Sequence, residues 1–399
     1  MCGPMRWESM RFIGVDLHKS YAYVFELGQD GGKKHYRVSI GNDELPAFLN
    51  SLDQDAQVVV EASTNSFRFS EMLAPFAGRV VVSDPAQTRG ALSQAAITDH
   101  KAAEALARLL QSNFIREVWV PTPRTRALRS QVALYRDLSR MRTQFINRLK
   151  SLLQQEFVPL KIGRIGPKSH ALLDSQFKDQ PELRFYLCSL ARSINHLNSE
   201  LAKLEYALGA WTKISDDAQL LLTIPGMGVI LAVTLLAQIG DIKRFPTAAK
   251  LCSYAGLVPQ IYESGKTRRC GAISRAGRGS MRWALTLAVW GCSGRSQAID
   301  DFKKRLGERR PKIVASTAAA RKLLTVIWSM LTYRRTFRDE NPALSERKRL
   351  SLEAWPEPKE LALELPKIED LRPSVKRSKR TGRLESSPAG EGFDFGSSE

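Results

Sequence analysis

The chain has 399 residues, with 60 Lys and Arg against 41 Asp and Glu, a formal net charge of +19 and 43% hydrophobic residues. That length and apolar share predict a folded protein of two or three domains, each with a core of its own, and argue against a chain that stays unfolded. The positive excess points to a polyanionic partner, because neutralising phosphates releases condensed counterions; nucleic acid leads and an anionic membrane surface trails.

The first stretch alternates short β-rich runs with helical ones. Strands are predicted at Arg11–Val15, Tyr21–Leu27, His35–Ile40, Gln57–Val60, Arg79–Val82 and Val118–Val120, and helices at Glu44–Leu52, Phe67–Phe76 and Asp99–Gln111. Three runs near hairpin spacing, then strand and helix in turn, predict an α/β domain over residues 1–123: a mixed sheet with helices packed on it.

Pro121 and Pro123 punctuate the chain, and strand character then vanishes over 124–212. Leu128, Val132, Leu138, Met141, Phe145, Leu149 and Leu152 describe one amphipathic helix. A cleaner one carries Leu183, Leu187, Leu190, Ile194, Leu197, Leu201, Leu204 and Leu208. The break around "VPLKIGRIGPKS" lets the two fold back antiparallel. An ordinary helical hairpin and a coiled-coil arm for dimerisation both fit, and the length of the second seam favours the arm. Residues 213–340 read as a helical, basic domain. From 341 to 399 the composition turns to Pro, Glu, Lys and Ser, which predicts a disordered tail.

The five cysteines, Cys2, Cys188, Cys252, Cys270 and Cys292, lie far apart without C-x-x-C pairs, which argues against zinc and for reduced structural thiols. No apolar run long enough to span a bilayer stands out, and the N-terminus lacks a secretory layout, so a cytoplasmic location without membrane contact is expected.

Three acids sit where an α/β sheet borders its crevice. Asp16 ends the first apolar run of "RFIGVDLHKSYAYVFEL", Glu61 ends "AQVVVE", and Asp99 opens the helix "DHKAAEALARLL" with Thr98 as its N-cap. Taken singly, each fits a surface carboxylate or a helix-dipole partner. Together they suit phosphoryl transfer assisted by divalent metal, in which two Mg²⁺ ions about 4 Å apart activate the attacking oxygen and neutralise the leaving one. Hard oxygen ligands suit Mg²⁺, and DNA is the natural substrate of so basic a chain.

The later region carries "LLLTIPGMGVILAVTLLAQIGDIKRF", a helix, a tight turn and a second helix that resemble a helix-hairpin-helix. Gly226 and Gly228 would let the backbone approach a phosphate. Between Ser264 and Arg282 stand Lys266, Arg268, Arg269, Arg275, Arg278 and Arg282 with no acid among them, read as a flexible cationic loop that leads into a helix and suits a phosphate backbone. The "SGKT" inside it is not a P-loop, because position 260 is Gln and no strand precedes it as that motif requires. Ser264 and Ser274 lie among these arginines as candidate nucleophiles, although most serines in Gly-rich loops only cap or turn.

The order of these parts resembles the transposases of the insertion sequence 110 family, also called 110/116/902 or DEDD, whose relatives include the Piv-type DNA invertases. The matches are "IGVDLHK", "VVVEAS" and "TDHKAAEALARL", then "IPGMGVILAVTLLAQIGDIKRF" and "LCSYAGLVPQIYESGKTRRCGAISRAGRGSMRWAL", and they span about residues 11–335. The resemblance implies an RNase H-like, RuvC-resolvase-like first domain, a coiled-coil arm and a C-terminal transposase domain. It further implies site-specific recombination of a mobile element with a catalytic serine, guidance by an element-encoded RNA, and a homo-oligomer, dimer or tetramer. By position Asp16, Glu61 and Asp99 match the first three acids, which would hold the metal, and Ser264 matches the serine, with Ser274 in reserve.

One position departs from the pattern. The family places a fourth acid three residues after the third, and Ala102 stands there. Fewer ligands should weaken Mg²⁺ binding. Asp84, at another strand end, could reach the cluster; Glu104 is rotated about 200° from Ala102 around the helix and points elsewhere. A metal-dependent nuclease or junction resolvase using only the acids, and a decayed nucleic-acid-binding relative, are the competing readings.

Overall fold

Strands β1 (Arg11–Leu17), β2 (Tyr21–Gly28) and β3 (Lys33–Ser39) form an antiparallel meander, because short polar turns join three runs of β-rich residues. Helix α1 (Glu44–Asn50) then leads to β4 (Ala56–Glu61), which lies parallel to β1, and α2 (Ser66–Leu73) leads to β5 (Arg79–Ser83), parallel to β4. The sheet order is β3-β2-β1-β4-β5. Helices α3 (Pro85–Ala91) and α4 (Asp99–Gln111) complete this unit, which spans Met1–Pro121. The computed structural model describes residues 10–91, 98–158, 167–264, 267–274, 277–354, 375–377 and 384–386.

Both faces of the sheet are covered, so its central strands are apolar on both sides. Ile13, Val15, Val58 and Val60 pack on Leu45, Phe48, Phe69 and Leu73 from α1 and α2. Phe12, Val59 and Val81, of the opposite parity, pack on Ala103, Leu106, Ala107 and Leu110 of α4. Gly14 lies on that second face. A Cβ built on it would stand 2.0 Å from the Ala103 carbonyl oxygen and 2.7 Å from the Ala107 nitrogen. Only a glycine lets α4 rest this close on β1.

The segment Val118–Val120 is not a strand. Val118 N–H donates to the Val82 carbonyl at 2.7 Å, and Ser83 forms one isolated bridge with Glu117. Pro121 and Pro123 follow and lack the N–H groups a ladder needs.

The second unit, Thr122–Glu399, is mostly helical. Its order is α5 (Pro123–Gln155), α6 (Pro167–Gln176), α7 (Pro181–Lys213), α8 (Asp216–Leu222), α9 (Val229–Ile239), α10 (Ala248–Tyr254), β6 (Pro259–Ser264), β7 (Thr267–Ile273), α11 (Gly279–Cys292), α12 (Gln297–Gly307), α13 (Lys312–Tyr333), α14 (Pro342–Glu353), β8 (Val375–Arg377) and β9 (Leu384–Ser386). Helices α5 and α7 run antiparallel: Tyr135 Oη donates to Glu205 Oε1 at 2.8 Å, Arg142 to Asn198 at 3.2 Å and Arg148 to Tyr186 at 3.0 Å. Toward the far end Leu149, Leu153, Leu187 and Ile194 enclose Leu173 of the unpredicted α6. At the base Leu128, Val132, Leu208 and Trp211 belong to the core of α9, α11 and α13. The hairpin therefore has a core of its own at one end and is rooted in the main core at the other.

Three further expectations are corrected. The stretch ahead of the helix is not a flexible loop: β6 and β7 pair antiparallel, Ser264 opposite Thr267, while the helix expected after it is present as α11 from Gly279. Backbone pairing between neighbouring strands does not depend on an apolar pattern, so glycine and arginine mask the strands without preventing them. Secondly, the tail does not start at 341. Asn341 caps α14 through Leu344 N–H, Leu352 is buried, and Lys348 Nζ donates to the Leu222 and Ile224 carbonyls at 2.7 and 2.8 Å. Burial lowers the Lys348 pKa to about 8. Thirdly, α13 is long and apolar enough to cross a bilayer by length and composition, yet Ala319, Leu323, Leu324 and Ile327 are buried in the core.

Replacing Gly14 by Ala should cost roughly 1–3 kcal/mol, the usual cost of overpacking, with the whole first unit affected. Urea unfolding followed by circular dichroism measures it; an unchanged midpoint would show that α4 yields without loss.

Candidate active site

The two-residue period of a strand decides which acids meet. Gly14 faces α4, so Asp16, two positions on, does too; Val59 faces α4, and so does Glu61. Parallel pairing sets Val15 opposite Val60, which brings the next pair of residues, Asp16 and Glu61, to the same end of the sheet. Helix α4 begins at that end with Asp99, its first turn capped by Thr98 Oγ1 accepting from Lys101 N–H at 3.4 Å.

The structure brings Asp16 and Asp99 together and adds His18, which the sequence reasoning passed over. His18 Nε2 lies 3.5 Å from Asp16 Oδ2 and 3.2 Å from Asp99 Oδ2. One potential ligand atom from each of the three falls within 4.8 Å of the others. Glu61 stays outside that set, although the charge of Asp16 acts on it across the strand ends. The signal for His18 was legible: in "DLHK" it follows Asp16 by two residues, so a strand running on would put both on one side.

Neighbours hold this group in place. Tyr21 Oη donates to Asp99 Oδ2 at 2.8 Å, its ring stacks on His18 at 4.5 Å, and the Arg37 guanidinium lies over the same ring, 3.6 Å from its centre. Asn65, ahead of α2, donates from Nδ2 to the His18 carbonyl at 3.3 Å, tying the end of β1 to the loop that follows Glu61.

Burial raises the Asp16 pKa, His18 opposes the rise and Asp99 adds to it. Burial also raises that of Glu61, opposed by the Thr88 hydroxyl and increased by Asp16. Half-buried carboxylates that repel one another fit a hard divalent cation, whose charge removes that penalty. Asp16, Asp99 and His18 could each offer such an ion one ligand atom.

Each of the two rescue candidates has partners of its own, although the charge of Asp84 also acts on Glu61. Asp84 Oδ1 accepts from Ala86 N–H at 3.0 Å, and its Oδ2 lies 3.6 Å from Arg116, so it closes the turn into α3. Glu104 binds Arg108 at 2.7 Å one turn along α4. Ala102 itself is buried.

In the second unit, Ser264 ends β6 at the turn of the hairpin, and Ser274 follows β7 with its N–H donating to the Val258 carbonyl at 2.8 Å. Lys266 and Arg275 lie outside the described residues, as does the side chain of Arg268; Arg269 is exposed on β7. Arg278 is exposed as the N-cap of α11, and Arg282 Nη1 donates to the Ala255 and Gly277 carbonyls, bracing the loop that carries Arg278. Gly228 is exposed as the N-cap of α9. Gly226 serves packing rather than phosphate approach: at φ +82° a Cβ on it would stand 2.2 Å from the backbone of Gly291.

Without divalent cation, stability should fall as pH rises through and above the ordinary carboxylate range of about 4, because the native state holds protons on Asp16 and Glu61 that the unfolded chain releases. Pairing Asp16→Asn with Glu61→Gln should flatten that slope, and saturating Mg²⁺ or Mn²⁺ should reverse it in the wild type. Thermal unfolding across pH checks this; a slope unmoved by the double substitution would place the repulsion elsewhere.

Two family models match this chain. One, described as Transposase IS116/IS110/IS902 family, matches residues 218–304; another, described as Transposase and named for the DEDD transposases of IS110, matches 13–158. The chain is 27% identical over 343 residues to the transposase for insertion sequence element IS1111A of Coxiella burnetii, an alignment covering 83% of this chain and 92% of that protein. It is also 32% identical over 154 residues to the pilin gene-inverting protein of Moraxella bovis, covering 36% and 47% of the two chains. An insertion element IS110 protein of Streptomyces coelicolor is 31% identical over 144 residues, 36% of each.

Proposed function

Because the chain belongs to the IS116/IS110/IS902 family of transposases, we propose that it cuts and rejoins DNA at the ends of a mobile element, with Asp16, Glu61 and Asp99 as its metal ligands and Ser264 as its nucleophile. The observation that carries this reading is the meeting of Asp16 and Asp99, with His18, at the ends of parallel strands in a chain matched by both transposase models. Sheet order β3-β2-β1-β4-β5, with α4 across it, is read as the RNase H-like, RuvC-like arrangement. On this reading 1–123 is the acidic catalytic domain, 124–212 the dimerising coiled-coil arm, 213–340 the transposase domain with its helix-hairpin-helix at α8 and α9, and 341–399 an appendage.

Mg²⁺, as one ion or two, would be held by Asp16, Glu61 and Asp99 and would supply Lewis-acid stabilisation of charge on phosphate oxygens. The chain's own residues do the rest. Tyr21 and His18 fix the Asp99 and Asp16 carboxylates. The Ser264 hydroxyl attacks a DNA phosphorus: a serine–phosphate bond forms, the phosphorus–oxygen bond to the leaving sugar breaks, and the serine proton ends on the released hydroxyl. A hydroxyl of the partner strand then reverses the step, which needs no external energy source because one phosphodiester is kept throughout. Arg269, Arg278 and the other cations of the run from Lys266 to Arg282 hold the backbone. A guide RNA, a homo-oligomeric assembly and a cytoplasmic setting follow from the family resemblance.

A second reading rests on Ala102. It stands one turn beyond Asp99 on the sheet side of α4, where the family carries a fourth acid. On that reading the chain keeps its nucleic-acid surface with a weakened metal site.

Strand exchange on a plasmid carrying element ends, with covalent protein–DNA adducts trapped in parallel, tests both. Asp16→Asn and Asp99→Asn should each lower exchange at least about a hundredfold. Ser264→Ala should abolish adducts; hydrolytic cutting that persists in Ser264→Ala would instead favour a nuclease. Ala102→Asp should tighten Mn²⁺ binding if the missing ligand weakens the site, and leave it unchanged if three acids suffice.

A further inference from the structure

Away from the acids, three guanidinium groups from three different segments of the second unit gather on one phenol. Arg278 Nε donates to Tyr254 Oη at 3.1 Å. The Arg244 guanidinium lies 4.5 Å from the centre of the Tyr254 ring, which itself packs on Phe245 at 5.3 Å. Arg129, arriving from α5, acts on the same phenol.

Two of these arginines are pinned from behind. Arg129 Nε donates to the Ala237 carbonyl at 2.7 Å and its Nη2 to Gln238 at 3.2 Å; Arg244 Nε donates to Ile239 at 2.8 Å. The carbonyls at the C-terminal end of α9 thus fix both groups, as cations at the negative end of a helix dipole. Helix α10 supplies Tyr254, and the N-cap of α11 supplies Arg278, which is exposed and opens the cluster to solvent within the basic run that ends at Arg282. Asp241 acts on Arg244 as a weaker counter-charge.

Burying Arg129 and Arg244 beside a third cation has a cost: both guanidinium groups are held below the ordinary arginine value, by burial first and by their neighbouring arginines second. Burial, opposed by Tyr254 and reinforced by Arg278 and Arg244, lowers the Arg129 pKa to about 10. Burial pushes the Tyr254 phenol up, but Arg278, Arg244 and Arg129 outweigh it and hold it below the ordinary tyrosine value. The phenol is neutral until it loses its proton, so a group carrying a full negative charge at this point would be held more strongly than Tyr254 itself. Fixed guanidinium groups around a hydroxyl donor match the oxygens of a phosphodiester.

We propose that Arg129, Arg244, Arg278 and Tyr254 form a socket for one backbone phosphate of a bound nucleic acid. It rests on the reading of the chain as a nucleic-acid-acting recombinase, and it adds a fixed contact, at the end of α9, to the exposed cations of the hairpin. The socket positions the strand and reads no base.

Nuclear magnetic resonance of isotope-labelled tyrosine rings in the full chain tests it directly. The Tyr254 signal is assigned by its loss in Tyr254→Phe; its arginines hold that phenol below the ordinary tyrosine value, whereas Tyr21, Tyr36 and Tyr135 are pushed the other way. Saturating duplex DNA, or in a separate arm single-stranded RNA, should move that transition to higher pH, because a phosphate in the socket takes the guanidinium charge the phenolate needs; whichever arm moves it identifies the source. Arg278→Gln should weaken binding of the same probe about tenfold and lower the slope of log affinity on log salt by about 1. If the wild type binds neither probe, the nucleic-acid reading falls and the socket with it. Binding that leaves the Tyr254 transition in place, with Arg278→Gln unchanged in slope, overturns the socket alone and leaves that reading standing.

Discussion

Helix α4 touches β1 backbone to backbone, and everything at the acidic site follows from that contact. With no side chain on Gly14, the carbonyl of Ala103 and the amide of Ala107 come within a distance that a Cβ would forbid. Closeness at this one point sets the height of the first turn of α4 above the strand ends. Asp99 then stands beside Asp16 rather than a side chain's length away. The alanines of α4 belong to the same constraint, since Ala103 and Ala107 are the small residues that complete the contact. Sheet pairing supplies the remaining coordinate: parallel β1 and β4 end together, and their common parity turns Asp16 and Glu61 to the α4 side.

Much of this was legible in the sequence, for a physical reason. Strand period and apolar runs fixed the parity of Asp16 and Glu61, and a threonine before an acid marked the start of α4; the five sheet strands and α1, α2 and α4 stand within a few residues of where the pattern puts them. His18 escaped notice, although its spacing from Asp16 was legible, because a lone histidine just past a strand end gains meaning only once Asp99 is brought alongside it. The hairpin of β6 and β7 was hidden by its glycines and arginines, which weaken a strand pattern without preventing the pairing. Helix α14 was hidden in a polar, Pro- and Glu-rich composition; its cap at Asn341, its one buried leucine and the Lys348 hydrogen bonds are individual contacts that composition averages away. Gly226 was read as a phosphate contact, whereas its partner, Gly291, lies some sixty residues on and was invisible without the fold.

The second unit follows a different logic. Its long hairpin of α5 and α7 shares its base with the core of α9, α11 and α13, so the same helices also carry parts of the basic surface. Arg129 illustrates this: it sits on α5, closes the end of α9 and faces Tyr254 of α10. A cation placed by three elements at once is rigid, and rigidity is what a phosphate contact gains from a fold rather than from a charged loop. Charge excess alone would attract nucleic acid; fixed guanidinium groups add a defined register along it.

The central claim is that strand parity and the Gly14 contact gather acids for a divalent cation at the N-terminal end of α4. Anomalous diffraction from crystals soaked in Mn²⁺ measures it most directly. The account predicts a peak bounded by carboxylate oxygens of Asp16 and Asp99, with Glu61 or His18 completing its shell. Strong manganese density elsewhere, with this group empty at saturating Mn²⁺, would contradict it.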